Sequence, residues 1–396
     1  MRSQQVSFAA VLCVALSLSA FASDVRLNQL PPATFDQIAK LTAPDGETND
    51  YFGTSVAIDG STIVVGKGRA NLNSAFVYEN NSGVVTQVAE LTPSNGEAGD
   101  NFGYSVAISG NTIVVSSRSH KNSDPVNYGV EYVYVEPASG WTNMTETAQL
   151  NLAQAGASVG SIVATNGSEV VAINTNNGTA VIWNEPAEGW VSSSKPNAEL
   201  TDTALTSLAS VAISGNVIVA ASPDAYQFGV TFVYVKPAGG WNKIGITETA
   251  RLVGTNAGAL VTAISGNTVS TAAGSTGIYV FVKPPGGWAD MNQTALLTND
   301  GAYGVAVSGG TVVSGNPYQL VGVNPQQGAA YVYEEPSGGW KNMSTASAEI
   351  VASDGNINDQ LGTSVAVSGG TVVAGAPQAQ IGENLDEGAA YVFGQQ

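Results

Sequence analysis

Acidic residues recur in this chain at a fixed spacing. Asp or Asn stands before Gly, with Asp five residues further on, at Asp45 and Asp50, at Asn95 and Asp100, and at Asp354 and Asp359; Asp386 and Glu387 form an adjacent pair near the end. Carboxylates and carbonyls so spaced could hold a cation weakly. The same residues also make turns: Asp or Asn before Gly sets a turn, and the second Asp can accept backbone N–H groups. Turn chemistry suffices to explain the spacing, so no metal is assigned. Asp45, Asp50, Asp100, Asp354, Asp359, Asp386 and Glu387 remain the candidate ligand-binding set.

Five tryptophans, Trp141, Trp190, Trp241, Trp288 and Trp340, each end a Gly-rich turn. They could form a sugar-binding shelf, but a large ring recurring at one place is expected to pack against the next unit of the fold. The only histidine, His120, is expected on an exposed loop. A Ser-His-Asp triad also needs a positioned nucleophile, and no G-x-S-x-G elbow occurs. Zinc requires three or four N/S ligands, which one His without Cys does not supply. The 31 acidic residues leave carboxylate-pair hydrolysis open, yet no spacing selects a pair. No catalytic residue and no cofactor follow from the sequence.

The elements that must position these residues are repeated. A short core returns seven times, as Ser55-Val56-Ala57-Ile58, Ser105-Val106-Ala107-Ile108, Ser161 to Ala164, Ser210 to Ile213, Leu260 to Ile264, Val305 to Val307 and Ser364 to Val367. The Ala-x-Leu segments beginning at Ala39, Ala89, Ala148, Ala198, Ala250, Ala295 and Ala348 also number seven, 45 to 59 residues apart. Periods of this length belong to arrays whose units cannot bury an apolar face alone. Each core leads through Gly-Asn, Gly-Gly or a similar pair into a second β-branched run, a hairpin signal. A variable loop then precedes a third strand with aromatic alternation, ending in Tyr78, Tyr134, Trp183 or their counterparts. Pro-x-x-Gly-Trp, in five copies, leads to a fourth strand at Ala-x-Leu.

Four antiparallel strands per repeat make a blade, and seven blades make an all-β, seven-bladed β-propeller. The chain ends on a third strand and begins with an unpartnered fourth strand at Gln37 to Thr42. That strand is expected to complete the last blade, closing the ring and covering an edge.

Composition bounds the rest. Arg2, the apolar run from Val6 to Leu18 and Ala20-Phe21-Ala22 read as a secretory signal cleaved near Ala22. Residues 1–22 are thus the signal, 23–35 a leader and 36–396 the propeller. The run is too short to span a bilayer, and no later segment approaches the ~18 apolar residues a membrane helix needs. The only cysteine, Cys13, lies inside the signal, which excludes disulfides from the mature chain. A net charge of −18 argues against nucleic acid and anionic membrane as partners.

The string from Leu91 to Ala107, Leu-Thr-Pro-Ser-Asn-Gly-Glu-Ala-Gly-Asp-Asn-Phe-Gly-Tyr-Ser-Val-Ala, closely resembles the FG-GAP repeat of secreted microbial proteins. Related repeats form the seven-bladed head of integrin α subunits. The resemblance covers about residues 36 to 393 and is strong in copies 1, 2 and 7; Phe-Gly becomes Leu361-Gly362 in copy 7 and Val159-Gly160 in copy 3, and is lost in copies 4 and 5. Integrin-type repeats often carry a D-x-D-x-D-G calcium loop between the first two strands. Here that position is a two-residue hairpin with no room for six oxygen ligands, so the calcium site does not carry over.

The resemblance implies a secreted or cell-surface binding protein, extracellular or periplasmic, that recognises a protein or a glycan through the loops of one face. A glycan-active enzyme using acidic residues near the central channel and a structural envelope or matrix component are the alternatives. The acidic loops of copies 7, 1 and 2, adjacent around the ring, are the expected centre of that face.

Overall fold

The computed structural model describes residues 34–68, 74–121, 128–153, 158–201, 207–225, 229–255, 258–298 and 301–396. The expected signal and nearly all of the leader lie outside the described residues. The remainder forms seven small, mostly antiparallel sheets of four or five strands; six begin with consecutive strands, and the seventh joins the last three strands of the chain to its first. In blade 1 these are Phe52–Asp59, Thr62–Lys67, Ala75–Asn81 and Val84–Thr92. The first strands touch around a complete circle, with Phe52–Asp59 meeting both Phe102–Ser109 of blade 2 and Ser364–Ser368 of blade 7. This is a seven-bladed β-propeller.

Burial on both faces explains why the middle strands read as nearly continuous apolar runs. The period-2 alternation then divides each third strand between two neighbours. Phe76 and Tyr78 pack towards blade 7, against Ala366, Val373, Ala390 and Val392. Ala75 and Val77 of the same strand pack towards blade 2, beneath Phe102, Tyr132 and Tyr134. Large side chains therefore meet small ones at each interface, which fills the gap between splayed sheets. Trp183, where other blades have Tyr or Phe, is 1% exposed and belongs to this core.

The turn tryptophans are buried, but the direction of packing differs from the sequence expectation. Trp141 of blade 2 joins the core shared with blade 1, Trp190 that with blade 2 and Trp288 that with blade 4. Each ring thus covers the preceding blade. The cause is the path after Gly-Trp, which runs back along that blade's outer strand. Asn143, Ser192, Asp290 and Asn342 accept the backbone N–H groups of Glu90, Gln149, Arg251 and Leu296 at 2.8–3.0 Å. In three places the path pairs as a short parallel fifth strand: Met144–Thr145, Ile244–Ile246 and Met291–Asn292. Exposed sheet edges are covered by this means.

The ring is closed by the N-terminal strand, Phe35–Leu41, starting slightly earlier than the sequence suggests. It pairs antiparallel with Ala389–Gln395 from Phe35 opposite Gln395 to Leu41 opposite Ala390. Leu41 and Ala43 enter the core between blades 7 and 1.

Phe-Gly has a structural reason. Gly53 adopts φ of 89°, and its carbonyl accepts the Ser364 hydroxyl of blade 7 at 2.8 Å. Gly103 repeats the arrangement with Ser55 of blade 1 at 2.7 Å. The carbonyl also presses on a glycine of the preceding blade's second strand, Gly375 for Gly53 and Gly66 for Gly103. The repeated Ser and the two glycines are one contact between blades.

Glu131 breaks the pattern at the interface of blades 2 and 3. Its equivalents are Ala75, Ala180, Thr231, Ile278, Ala330 and Ala390, yet it is fully buried, accepting the Gly160 N–H at 2.8 Å and paired with the Ser116 hydroxyl. Burial pushes its carboxyl up to about 7 from an ordinary 4.5, against the opposing pull of those hydrogen bonds. Between those two values the unfolded chain releases the proton and the folded chain keeps it, so stability should fall as pH rises through that window. Glu131→Gln should abolish the decline and raise stability at pH 8, by about 3 kcal/mol at most. Urea unfolding of both proteins at pH 5 and pH 8 measures this, and parallel behaviour would remove Glu131 as the cause.

Candidate functional site

The three acidic loops are built alike. In each, the second Asp accepts a backbone N–H three residues before it: Asp50 from Glu47 at 2.9 Å, Asp100 from Glu97 at 2.7 Å and Asp359 from Asn356 at 2.7 Å. All three are buried, at 4–5% exposure. Burial raises the pKa of Asp359, partly offset by the Asn356 N–H.

Each loop is also pinned by one cationic or titratable side chain, drawn from a different place. Lys67, wholly buried at the end of a strand and lying over the Phe76 ring, reaches Asp45 at 2.8 Å and Asp50 at 3.1 Å. Lys40 of the N-terminal strand reaches Asp354 at 2.6 Å, and Tyr391 donates to the same carboxylate at 3.0 Å. Partial burial works to raise the pKa of Asp354, but the hydrogen bonds from Lys40 and Tyr391 and the Lys40 charge outweigh it and hold the carboxyl below its usual value.

In blade 2 the pin is His120, which corrects the expectation of an exposed loop residue. It lies in the strand Thr112–Lys121, is 7% exposed, and sets Nδ1 2.7 Å from Asp100. Asn95 bridges its Nε2 to the Tyr132 hydroxyl, which donates to Asn95 Oδ1 at 2.8 Å. The strand continues past its apolar run because the Asp100 carbonyl accepts the Ser117 hydroxyl and the Ser119 N–H.

Asp386 and Glu387 belong to the loop between the second and third strands of blade 7, which locks onto the acidic loop of blade 1. The N–H groups of Asn49, Tyr51 and Phe52 donate to the carbonyls of Leu385, Asp386 and Glu387 at 2.8–3.0 Å. Glu387 is 4% exposed and accepts from Asn384 at 2.8 Å. Blade 6 repeats the lock on blade 7, where Asn358, Gln360 and Leu361 donate to Pro325, Gln326 and Gln327 at 2.9–3.1 Å. Gln326 and Gln327 there occupy the positions of Asp386 and Glu387.

The candidate residues thus gather on one face, in adjoining loops of blades 7, 1 and 2. Asp50, Asp100, Asp359 and Glu387 are buried scaffolding, while Asp45, Asp354 and Asp386 reach solvent, Asp45 and Asp354 with side chains 40% and 48% exposed. Beside Asp100, between blades 2 and 3, lies a polar cleft of about 450 Å³ lined by Glu97, Arg118, Lys121, Ser158 and Thr175. The pinning lysines were missed from sequence, although a charge ending the apolar run Ile63 to Gly66 was a signal for Lys67.

Because these carboxylates are already engaged by Lys67, His120, Lys40 and backbone N–H groups, folding should not depend on calcium. EDTA is expected to leave the thermal midpoint unchanged, since only a bound ion is linked to stability. A fall reversed by added calcium would place a cation in these loops.

The opposite face carries the hairpin turns, and its channel mouth, about 330 Å³, draws residues from all seven first strands, among them Asp59, Ser109, Ser214, Ser265, Ser308 and Ser368. In six of the blades the turn places Gly first with φ of 54–59°, as a type II′ hairpin requires; blade 3 turns instead through Asn166 and Gly167, with φ of 96° at Gly167. Asp59 accepts the Gly110 N–H at 2.7 Å, Ser214 that of Gly266 at 3.1 Å and Ser368 that of Gly60 at 3.0 Å. These short turns link successive blades.

A model of the FG-GAP repeat matches residues 35–78, 85–134 and 345–393. These three segments are similar to FG-GAP repeats. Each matched segment runs from a fourth strand through a pinned acidic loop into the first three strands of the following blade, and so contains one of the inter-blade glycine contacts, at Gly53, Gly103 or Gly362. Two solved propellers share the fold. The computationally designed Ika8 protein is 13% identical, with a TM-score of 0.51, over 91% of this chain and 100% of that one. The WD40 β-propeller domain of Doa1 is 11% identical, with a TM-score of 0.55, over 91% of this chain and 97% of that one. At such identity the likeness is one of fold alone. No curated protein matches the sequence of this chain, and no helix among its described residues is long and apolar enough to cross a membrane.

Proposed function

We propose that this FG-GAP propeller is exported after cleavage near Ala22 and acts outside the cytoplasm or at the cell surface, binding a protein or a glycan through its loop face. The observation that carries the reading is the backbone lock between neighbouring loops, which holds Asp45, Asp354 and Asp386 at the surface on fixed main chain. Preorganised loops lose little entropy on binding, and an acidic surface steers a cationic partner. Among the described residues, the channel mouth on the turn face presents Asp59 as its single carboxylate, hydrogen-bonded to Gly110, which supports binding over carboxylate-pair hydrolysis there.

The test is a glycan-array and pull-down screen of the mature protein, repeated with Asp386→Gln/Glu387→Gln. Blade 6 carries Gln at both positions in the same loop, so the fold should hold. Association should weaken in the variant and in the wild type as salt rises. Binding that survives the substitution but is abolished by changing Val191 or Lys341, beside the Gly-Trp turns, would move the function to the other face.

A further inference from the structure

Among the described residues, six of the ten large hydrophobic side chains that stand exposed lie on the loop face of blades 6 and 7: Tyr303, Tyr318, Leu320, Val323, Ile357 and Leu385. Val323 is 89% exposed, and Tyr303 meets Tyr318 edge to face at 5.0 Å. Single exposed hydrophobics are ordinary; a concentration of them on one face marks an interaction surface.

The fold does not require these residues. Val323 corresponds to Glu383 in the sister loop of blade 7, and Ile357 to Thr48 and Ala98 in the sister acidic loops. The loops that carry them are braced against each other: Asn358 donates to the Pro325 carbonyl at 3.1 Å and Asn324 to the Gly355 carbonyl at 3.2 Å. The apolar side chains are therefore presented on a firm backbone.

Charge specifies the occupant further. From Gly301 to Gln396 the chain has one cationic residue, Lys341, which follows Trp340 at the turn face. The border of the apolar patch carries Asp354, Glu383 and Asp386, with Lys40 committed to Asp354. We propose that this patch docks a protein segment presenting aliphatic or aromatic side chains flanked by Lys or Arg. The inference rests on the loop-face reading above, narrows its partner to a protein, and centres it on blades 6 and 7. Exposed aliphatic tips offer no hydrogen bonds to sugar hydroxyls. A second copy in a two-fold arrangement would set acidic border against acidic border.

The experiment pans a displayed library of random 12-residue peptides on the wild-type protein, then measures the enriched peptides against Val323→Glu/Ile357→Thr. Both substitutions install residues found in the sister loops, and an unchanged melting curve confirms the fold. The expected result is enrichment of peptides combining Leu, Phe or Trp with Lys or Arg, and at least about tenfold weaker binding to the variant. Enrichment without that composition, or binding indifferent to the variant, overturns the proposal. Failure to enrich any peptide also overturns it, and a positive glycan array would then leave the loop-face reading standing. Peptide binding lost in Asp386→Gln/Glu387→Gln but kept in Val323→Glu/Ile357→Thr would return the site to blades 7 and 1. Self-association of the wild type that the apolar double variant abolishes, read by sedimentation, would make a second copy the occupant.

Discussion

A chain that begins at Asp45 is expected to melt on the order of 10 °C below the full-length protein, at about 2 °C for each kcal/mol lost in a domain of this size. The truncation removes every pairing from Phe35–Gln395 to Leu41–Ala390 and takes Leu41 and Ala43 out of the core between blades 7 and 1. Fully burying one aliphatic side chain is worth about 1.5–3 kcal/mol, and the last blade would also be left with a bare edge. Lys40→Ala is the contrasting variant. It breaks only a partly exposed ion pair with Asp354, a contact of about 1 kcal/mol or less. Calorimetry of both should separate them clearly; a truncated protein that melts with the full-length chain would show that the first strand does not hold the ring.

Gly375→Ala is expected to cost about 3 kcal/mol, at the upper end of overpacking, because its added Cβ has no room. The methyl would sit 1.9 Å from the Gly53 carbonyl oxygen and 2.4 Å from the Ser364 hydroxyl. The carbonyl belongs to backbone, so relief requires blades 7 and 1 to part. Gly369→Ala is the control, since its φ of 54° is strained for any other residue but nothing lies within 4 Å of the new methyl. Its cost should be about 1–2 kcal/mol. Equal losses in urea unfolding would show that the blades do not approach as closely as the Phe-Gly contact demands.

The repeat was legible because it is written in residues whose reasons are local. Gly at a hairpin needs no knowledge of the neighbouring blade, and the alternation of Tyr and Val along a third strand follows from the pleat. The acidic loops were legible as turns for the same reason: Asp50, Asp100 and Asp359 each accept an N–H three residues away. His120 was misplaced because its partner, Asp100, is 20 residues distant and the strand that buries it outruns its apolar core. The tryptophans were rightly read as packing but assigned to the wrong neighbour, since the direction depends on how the chain turns after Gly-Trp. Glu131 gave no signal of its burial, because only the register of the third strand places it where other blades carry Ala, Thr or Ile.

By itself the sequence determined the seven blades, their strand order and the closure by the first strand, because period, alternation and turn residues act over a few residues and repeat. Only the tertiary structure decided which carboxylates are scaffolding and which are surface. Asp50 and Asp45 differ by five positions and share Lys67, yet one is buried and the other reaches solvent. The same holds for the exposed apolar patch of blades 6 and 7. Val323, Ile357 and Leu385 lie far apart in sequence and resemble core residues in type. Their exposure on one face follows from loops of adjacent blades locking together, a relation that no stretch of sequence contains.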